Sequence, residues 1–375
     1  MRRVKVMLVF GTRPEAIKIA PVIKELLRNK ADFESVVVVT AQHREMLDQV
    51  LTLFKIDPHF DLDIMRPSQE LFDVTTRTLR GLKPVLEKEH PHVLLVQGDT
   101  TTTFAATLAA FYFKIPIGHI EAGLRTFDKH HPFPEEINRR LTTHLADFHF
   151  APTDSARENL LKEGISPKNI YVTGNTVIDA LLSVVKENYA FNHSILSKVD
   201  FSKKIITITA HRRESWGEPL ERICYAIRKI IADHPQIEVI FSVHLNPKVQ
   251  EIVKKVLKDV ERTHLIRPLD YEPFVQLMNK SYLILTDSGG IQEEAPSLGK
   301  PVLVLRKVTE RPEAIRAGTA KLVGTDIDKI VKTVSKLLSN ADAYQTMARI
   351  QNPYGDGRAA SRIVQILSHR FYPQI

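Results

Sequence analysis

The sequence predicts an α/β fold built from two Rossmann-like domains. Short runs rich in β-branched residues alternate with amphipathic stretches, an order typical of parallel sheets whose strands are joined by helices. This alternation occurs twice, because a second series of strands begins near Lys204. The length of 375 residues also exceeds the roughly 100–200 residues that one domain usually holds.

The first series of strands makes up a predicted N-terminal domain of residues 1–173. Its five strands are expected at residues 4–10, 35–40, 93–97, 115–120 and 148–151. Between the first two strands, residues 14–28 carry apolar side chains at helical spacing, and Thr12 is suited to cap this helix. Pro21 lies inside the helix and is expected to kink or divide it.

The second series makes up a predicted C-terminal domain of residues 174–357. Its five strands are expected at residues 205–209, 239–243, 282–286, 302–305 and 320–323. The small polar residues 173–176 suit a hinge between the domains, because such residues interrupt regular structure. A final helix near residues 358–371 is expected to pack back on the first domain, so that residues 358–375 belong with it.

Charge and composition restrict the partners that this chain can have. Its 52 basic and 44 acidic residues give a net charge of +8, but the basic residues are scattered and not clustered with aromatics, which favours an acidic small molecule over nucleic acid. The one cysteine, Cys224, excludes an intramolecular disulfide and a Cys-rich zinc site. No apolar run reaches the roughly 18 residues of a membrane helix, and we expect a cytoplasmic protein without membrane insertion.

Acidic residues follow two neighbouring strands of the predicted first domain. Asp99 and Glu121 each come directly after a strand, and Glu135 opens a predicted helix together with Glu136. Helix capping is an alternative for Asp99, and complementing a helix dipole is the simpler interpretation of Glu136 and competes for Glu135. Because the carboxyl ends of parallel strands meet at one edge, we expect these carboxylates to converge and to share acid and base duties.

Basic residues follow the first strand of each predicted domain. Arg13 and Lys18 begin the first helix, where a guanidinium can face an anion, although a solvated helix start would look the same. His211, Arg212 and Arg213 follow the strand at residues 205–209. Because three such groups are costly to bury without an acidic partner, contact with phosphate is favoured. His244 is a weaker candidate, which would also serve to cap the turn after its strand.

A small-residue turn follows the strand at residues 282–286. Ser288, Gly289 and Gly290 allow close backbone approach, and a helix N-terminus here is able to hold phosphate oxygens. Glu294 is placed to reach the vicinal hydroxyls of a ribose, with surface solvation as the alternative. Arg311, with the charged residues just before it, is placed to enclose a diphosphate. One half therefore supplies carboxylates and the other supplies phosphate ligands, a division that indicates a nucleotide-sugar enzyme.

Six motifs in this order resemble the non-hydrolysing UDP-N-acetylglucosamine 2-epimerases. They are GTRPE at 11–15, GDTTTT at 98–103, HIEAGLRT at 119–126, PFPEEINR at 132–139, HRRE at 211–214 and DSGGIQEE at 287–294. The resemblance spans nearly the whole chain. It implies a glycosyltransferase-B-like arrangement with the active site in the cleft between the two domains, a homodimer, and no metal or other cofactor.

The resemblance also implies a reaction and its residues. UDP-N-acetylglucosamine and UDP-N-acetylmannosamine are interconverted by loss of the C2 proton with anti elimination of UDP, followed by re-addition of UDP to the resulting 2-acetamidoglucal. Asp99, Glu121 and Glu135 are implied as the acid and base group, and His211 as the residue that steadies the departing UDP. The implied substrate contacts are Arg13, Lys18, His211, Ser288, Gly289, Gly290, Glu294 and Arg311.

Three alternatives share this fold. A hydrolysing epimerase would release UDP and N-acetylmannosamine, although no appended kinase domain is evident. A glycosyltransferase would need an acceptor groove but not three converging carboxylates. A catalytically silent nucleotide-sugar sensor would keep the UDP site while losing the acids, and the acids are all present.

Many bacterial relatives bind a second, activating substrate molecule beside the active site. The candidate residues for such a site in this chain are Gln42, Glu45, Arg66, Arg212, Arg213 and His244, of which Arg66 would serve only if its loop shifts. Glu45 stands where relatives often have glutamine, and Ser68 stands near the position of a relative's arginine. Like-charge repulsion and a lost charge-assisted hydrogen bond both weaken such a site. We therefore expect little activation by substrate.

Overall fold

The computed structural model describes residues 3–41 and 44–372, apart from the side chain of Arg213. The chain forms two compact units. The first runs from the N-terminus through Ala180 and resumes at Tyr354, and the second is Leu181–Pro353. The sequence placed these boundaries after residues 173 and 357. The observed division falls inside the helix Thr176–Val184, and a continuous helix has no break that a sequence pattern would reveal.

A parallel sheet of seven strands forms the centre of the first unit. In chain order the strands are β1 (Val4–Phe10), β2 (Phe33–Val39), β3 (Phe60–Asp61), β4 (Val93–Gln97), β5 (Ile117–Ile120), β6 (Phe148–Ala151) and β7 (Ile170–Val172). The spatial order is β3-β2-β1-β4-β5-β6-β7, with parallel neighbours throughout. The five predicted strands are confirmed. The sequence missed β3 and β7, which are too short to show a pattern.

Seven helices alternate with these strands along the chain. They are α1 (Arg13–Arg28), α2 (Arg44–Phe54), α3 (Leu71–Glu89), α4 (Thr101–Tyr112), α5 (Glu135–Leu145), α6 (Asp154–Lys162) and α7 (Thr176–Val184). Thr12 caps α1, as predicted, while the Glu15 carboxylate accepts the Thr12 N–H at 2.8 Å. The prediction that Pro21 divides this helix is wrong. Proline removes a single backbone N–H, and burial of the apolar face of α1 outweighs that loss.

A second parallel sheet, of six strands, forms the centre of the second unit. Its strands are β8 (Lys204–Ala210), β9 (Ile237–Val243), β10 (Thr263–Ile266), β11 (Leu283–Thr286), β12 (Val302–Val304) and β13 (Ala320–Leu322). They lie in the order β10-β9-β8-β11-β12-β13. The five predicted strands are confirmed, and the sequence missed β10, a half-exposed strand at the edge.

The remaining helices are α8 (Glu218–Asp233), α9 (Pro247–Leu257), α10 (Tyr271–Lys280), α11 (Gly289–Glu294), α12 (Pro312–Ala317), α13 (Ile327–Ser339), α14 (Ala341–Ala348) and α15 (Ala359–Phe371). Cys224 is buried within α8, and burial raises the pKa of its thiol to about 12, as expected for an inert cysteine. Within residues 3–41 and 44–372, none of the helices has the length and apolarity needed to cross a membrane.

The last helix, α15, lies in the first unit and packs against α1. Its N-terminus is held by the Asp179 carboxylate, which accepts the backbone N–H groups of Ala359 at 3.2 Å and Ala360 at 2.9 Å. The segment 173–176, which the sequence suggested as a hinge, is buried in the same unit, where Asn175 donates its N–H to the Tyr354 carbonyl at 2.7 Å. This hydrogen bond ties the segment to the first unit. A buried backbone N–H needs such a partner.

Both sheets reverse their order once. In the first unit the chain moves outward from β1 to β3 and then restarts beside β1 with β4. In the second it moves from β8 to β10 and restarts beside β8 with β11. Ligands of open parallel sheets bind outside the carboxyl ends of strands at such a reversal. Ligand-binding residues are therefore expected after β1, β4, β8 and β11.

Candidate active site

Glu121 has a crowded carboxylate at a strand end of the first unit. It follows β5, is 8% exposed and has a backbone φ of +68°. Lys18 donates to its two oxygens at 2.5 and 2.7 Å, Asn175 donates to Oε1 at 3.2 Å, and the Gln97 amide donates to Oε2. Lys18 and Glu121 thus form a nearly buried ion pair, in which each charge offsets the desolvation of the other.

Asp99 lies after β4 and is more accessible, with 29% of its side chain exposed. The Arg139 guanidinium donates to its Oδ2, and the Asn138 amide donates to its backbone carbonyl at 3.0 Å. Helix capping does not explain Asp99. The N-cap of α4 is Thr100, whose hydroxyl accepts the Thr103 N–H at 3.1 Å. The Asp99 carboxylate therefore points to an ion pair and not to the helix.

The two glutamates that open α5 have different surroundings. Glu136 is fully buried and accepts the backbone N–H groups of Thr126 at 3.1 Å and Phe127 at 3.2 Å. Glu136 lies in the first turn of α5, as the helix-dipole interpretation expects, and it also holds the loop at Thr126 and Phe127. Glu135 begins α5 with a partly exposed side chain. Arg13 is likewise the first residue of its helix, α1, and its side chain is also partly exposed.

Sequence reasoning missed Glu15, which joins two of the loops that carry site residues. Its Oε2 accepts the N–H groups of Gly11 at 3.1 Å and Thr12 at 2.8 Å, and its Oε1 accepts the hydroxyls of Thr100 at 2.7 Å and Thr103 at 3.0 Å. Burial raises the pKa of Glu15, while these four hydrogen bonds oppose the rise. The spacing of Thr12 and Glu15, a capping-box pattern, is the signal that would have found it.

His119 supports the turn before Asp99. It is fully buried, and its Nε2 lies 2.7 Å from the Gly98 carbonyl, so that Nε2 carries the hydrogen. Its Nδ1 has no hydrogen-bond partner in the part of the chain that the structure describes. Burial, the main cause, lowers the pKa of His119 to about 3. The ring is therefore neutral across the physiological range, and it positions the backbone without carrying charge.

In the second unit, Asp287 joins the ends of β8 and β11. It is fully buried and accepts the backbone N–H groups of His211 at 3.0 Å and Arg212 at 2.9 Å and the Ser215 hydroxyl at 3.1 Å. Its Oδ1 lies 3.2 Å from Nδ1 of His211, whose ring remains partly exposed. Sequence reasoning did not select Asp287. An acidic residue directly after an apolar strand, as for Asp99, is the signal that would have found it.

Guanidinium groups gather around the small-residue turn before α11. A methyl group at Gly289 would lie 3.7 Å from Cζ of Arg311 and 3.9 Å from Nη2 of Arg212. Arg311 donates to Glu293, and Arg212 donates with both terminal nitrogens to Glu310 at 3.2 Å. Ser288 and the first two residues of α11, Gly289 and Gly290, therefore lie next to two cations.

Glu294 closes the same helix and is buried, so surface solvation does not explain it. It is 8% exposed, and its Oε1 accepts the Tyr271 hydroxyl at 3.1 Å. A methyl group at Gly290 would lie 3.7 Å from its Oε2. The carboxylate is thereby placed beside the turn.

The residues considered for a second substrate site have other partners, are exposed, or lie outside the described residues. Gln42 and the side chain of Arg213 are outside the described residues. Glu45 is exposed on α2, and exposed Arg66 donates to the carbonyls of Asp63 at 2.9 Å and Met65 at 2.6 Å. His244 accepts the Asn246 N–H at 3.2 Å through Nδ1, which is the turn-capping role considered as its alternative.

The fold and these residues define a class: an α/β enzyme of two Rossmann-like units, with ion-paired carboxylates in one unit and arginines and a histidine around a glycine turn in the other. The model of the UDP-N-acetylglucosamine 2-epimerase family matches residues 25–368, and the chain belongs to this family. The family assignment, fold class and enzyme class predicted from the sequence are thereby confirmed.

Individual relatives agree with this assignment over their whole length. The UDP-N-acetylglucosamine 2-epimerase of Yersinia pestis is 58% identical, covering 97% of this chain and 98% of the relative. That of Escherichia coli K12 is 55% identical, with the same coverage of 97% and 98%. The crystal structure of the Neisseria meningitidis enzyme bound to UDP-GlcNAc superposes with a TM-score of 0.85. It covers 97% of this chain and 99% of that one, at 51% sequence identity.

Proposed function

We propose that this chain catalyses the reversible epimerisation of UDP-N-acetylglucosamine to UDP-N-acetylmannosamine at C2 of the sugar. The observation that carries the proposal is the pair of carboxylates, Asp99 and Glu121, which follow neighbouring strands and are each paired with a cation. The names of the relatives support the same reaction, and the Neisseria meningitidis structure is bound to UDP-GlcNAc.

Inversion at C2 needs proton transfer on both faces of one carbon. The C2–H bond is a weak acid, so a positioned base removes the proton while the C1–O bond breaks, and the electron pair forms a C1=C2 double bond. UDP takes the bonding electrons of the C1–O bond and leaves. Protonation of C2 from the opposite face and re-addition of UDP complete the inversion. Asp99, Glu121 and Glu135 supply the base and acid functions, and Lys18 lies against Glu121 to stabilise its charge.

The second unit supplies the groups that hold UDP. The backbone at Ser288, Gly289 and Gly290, together with the Arg311 guanidinium, binds phosphate oxygens. His211 stabilises the charge that develops on the diphosphate as C1–O breaks. Glu294 accepts hydrogen bonds from the ribose hydroxyls, and Arg13 of the first unit contributes a further cation to the substrate.

The test is a proton spectrum of the purified protein with UDP-N-acetylglucosamine in D2O. We expect a second UDP-sugar anomeric signal and replacement of H2 by deuterium, because elimination and re-addition exchange this proton with solvent. Epimerisation with the original H2 retained would contradict the elimination route. Accumulation of free UDP and N-acetylmannosamine would instead identify a hydrolysing epimerase, and an unchanged substrate would contradict the proposal as a whole.

We further propose a homodimer, formed through the helices on one side of the first sheet. Helix α4 packs between α3 and α5, and these three helices expose large apolar side chains. Phe72 is 82% exposed and Tyr112 is 68% exposed, beside Phe111. Isolated exposed apolar residues are ordinary, but several on neighbouring helices favour burial against a second copy.

Sedimentation analysis tests the dimer. The unaltered chain is expected to sediment as a dimer, and replacing Phe111 and Tyr112 together by serine is expected to shift it toward the monomer. Val308→Ser removes an apolar side chain that is 71% exposed in the second unit and serves as the control. A monomeric unaltered chain, or a dimer unaffected by the double substitution, would contradict this interface.

A further inference from the structure

The carboxyl group of Glu15 is part of a chain of four oxygen atoms that join the first helix to the turn before α4. Oε1 of Glu15 lies 2.7 Å from the Thr100 hydroxyl and 3.0 Å from the Thr103 hydroxyl. The Thr103 hydroxyl in turn lies 2.7 Å from the backbone carbonyl of Gln97. Glu15 is 2% exposed and Thr103 is fully buried. Each of the three contacts needs one hydrogen, because two oxygen atoms at such a distance repel unless one donates to the other.

The two hydroxyl groups supply only two of these three hydrogens. A carbonyl oxygen only accepts, so the Thr103 hydroxyl donates to Gln97 over the shorter of its contacts with the two acceptors. The Thr100 hydroxyl donates to Glu15. The contact between Glu15 and Thr103 is then left without a hydrogen. A looser contact of 3.2 Å between the two hydroxyls adds to this shortage.

The second oxygen of Glu15 decides where a missing proton would be placed. Oε2 accepts the backbone N–H groups of Gly11 at 3.1 Å and Thr12 at 2.8 Å. An oxygen that accepts two N–H groups is a poor site for a proton, since the proton would point at other hydrogens. Oε1 is therefore the site, and the O–H group donates to the Thr103 hydroxyl.

The surroundings of Glu15 differ from those of Glu121 and Asp99. Glu121 is paired with Lys18, and Asp99 is paired with Arg139. Among the side chains that the structure describes, none of the lysines, arginines or histidines forms an ion pair with Glu15. A buried charge without a paired cation is costly, and a carboxyl group avoids that cost by keeping its proton. Burial is the largest influence on Glu15 and gives its pKa a net increase, although its hydrogen bonds oppose this change.

We propose that Glu15 is a positioning residue that carries a proton in the folded protein and, as a neutral acid, fixes the loop before α1 to the turn before α4. The inference rests on the proposed function, because it takes Arg13 and Asp99, which adjoin these two segments in the chain, as site residues. The proton gives each of the three close oxygen contacts one hydrogen. The neutral group also adds no further negative charge to the strand ends that carry Asp99 and Glu121.

Infrared difference spectroscopy of the full-length protein at pH 7.5 tests the protonation. A protonated carboxyl group has a C=O stretching band that an ionised carboxylate lacks, and exchange into D2O shifts this band. We expect the band in the unaltered protein and the loss of one carboxyl equivalent of its intensity in Glu15→Gln. Glu163 is also largely buried, with 12% of its side chain exposed, but it is paired with Arg125 at 2.6 Å. Glu163→Gln is therefore the matched control and should retain the full band.

Steady-state kinetics of two variants test the positioning role. In Glu15→Gln the amide oxygen still accepts the N–H groups of Gly11 and Thr12, and the NH2 group replaces the O–H donor to Thr103. Glu15→Ala removes the acceptor and the donor together. We expect Glu15→Ala to lower kcat by about tenfold or more, because Asp99 is displaced, and Glu15→Gln to recover most of this loss. Equal losses in the two variants would show that a charged carboxylate is required and would overturn the inference.

The outcomes distinguish this inference from the proposed function. An unaltered protein that epimerises UDP-N-acetylglucosamine but lacks the protonated carboxyl band would overturn the inference and leave the proposed function intact. A protein that shows the band but leaves this substrate unchanged would contradict the proposed function and not the protonation. If Glu15→Gln does not fold, glutamate labelled with carbon-13 at the side-chain carboxyl decides. The band of the unaltered protein is expected to shift with this label, and an unshifted band would overturn the inference.

Discussion

Glu121 is held in a backbone conformation that few residues adopt. Its φ of +68° lies in the left-handed region, which costs a non-glycine residue about 1–2 kcal/mol. The bonds from Lys18, Gln97 and Asn175 to its carboxylate keep the side chain in place despite this strain. Strain of this kind is typical of functional positions, where the surrounding contacts determine the geometry.

We predict that Glu121→Gln lowers turnover by at least about 10²-fold, because the amide keeps the shape of the side chain but cannot transfer the proton. UDP affinity should stay within a few-fold, since the proposed UDP ligands, apart from Arg13, belong to the second unit. Steady-state kinetics and UDP calorimetry measure the two effects. Glu294→Gln is the matched control and should weaken UDP binding, so near-normal turnover of Glu121→Gln would remove Glu121 from the acid and base group.

His119 makes stability depend on pH. Its pKa is about 3 when folded, against about 6.5 when unfolded, so the unfolded chain binds a proton first as the pH falls. The contribution of His119 to the free energy of unfolding is complete above pH 6.5 and decreases down to about pH 3. About 2 kcal/mol of it is already lost at pH 5.

We predict that His119→Gln removes most of this loss, because glutamine can donate to the Gly98 carbonyl but does not titrate. Urea unfolding at pH 7.5 and pH 5 measures the difference in the free energy of unfolding. His369→Gln, on the exposed surface of α15, is the control and should keep the full pH dependence. An unchanged pH dependence in His119→Gln would show that His119 is not the titrating group.

At the scale of elements, the residues that follow β1 and β2 lie in very close contact with the start of α4. The hydroxyls of Thr40 and Thr102 lie 3.0 Å apart, directly beside Gly11. Glu15 bonds to the loop before α1 and to the first turn of α4. Arg13 and Asp99 are adjacent to these contacts in the chain, so the contacts help to set where the site residues lie.

We predict that Gly11→Ala destabilises the first unit by about 1–3 kcal/mol, the usual effect of overpacking. The added methyl group would lie 2.0 Å from Oγ1 of Thr40 and 2.8 Å from Oγ1 of Thr102, so the backbone or both threonines must move. Thermal or urea unfolding measures the change. In Gly290→Ala the nearest atom is 3.7 Å away, and stability should be retained. Equal stability of the two variants would refute the crowding argument.

The Asp179 carboxylate accepts two backbone N–H groups at the N-terminus of the C-terminal helix. We predict that Asp179→Ala destabilises the first unit by about 1 kcal/mol, because Ala359 and Ala360 lose their hydrogen-bond acceptor. Limited proteolysis should then release the C-terminal segment earlier than in the unaltered chain. Asp342→Ala, at an exposed position in α14, is the control. Resistance equal to that of the control would show that α15 is held by packing alone.

At the scale of the whole molecule, the two units divide the chemistry by charge. The first presents the carboxylates Asp99, Glu121 and Glu135, and the second presents Arg212, Arg311 and His211. Two of the described residues that were considered for substrate activation already have acceptors. Arg66 donates to carbonyls of its own loop, and Arg212 donates to Glu310.

We therefore predict that initial rates rise hyperbolically with substrate. UDP-N-acetylmannosamine alone should be epimerised without added UDP-N-acetylglucosamine. Rate measurements in both directions, with enzymatically purified substrates, test this expectation. Glu45→Gln restores the residue that relatives often have, and it should introduce substrate activation if this position weakened the second site. A sigmoidal rate curve of the unaltered chain, or a reverse reaction that needs traces of UDP-N-acetylglucosamine, would contradict the prediction.

The sequence by itself determined the elements and the positions of the chemical motifs. Strands and helices follow from local patterns of apolar residues, which is why ten strands were predicted and only the short or exposed β3, β7 and β10 were missed. The motifs at strand ends are also short patterns that can be read directly from the sequence. Asp99, Glu121, His211 and Ser288 could be selected because each directly follows an apolar run.

Only the tertiary structure decided which of these side chains contact one another. Glu15 bonds to Thr100, 85 residues away, Asn175 to Glu121, 54 residues away, and Asp287 to the His211 backbone, 76 residues away. Such contacts depend on which strand ends are neighbours, and strand order is a property of the packed sheet that local periodicity does not encode. Local patterns mark Glu15 and Asp287 as candidates, through the capping-box spacing and the position directly after an apolar strand. The distant partners of these residues and of His119 are visible only in the folded chain.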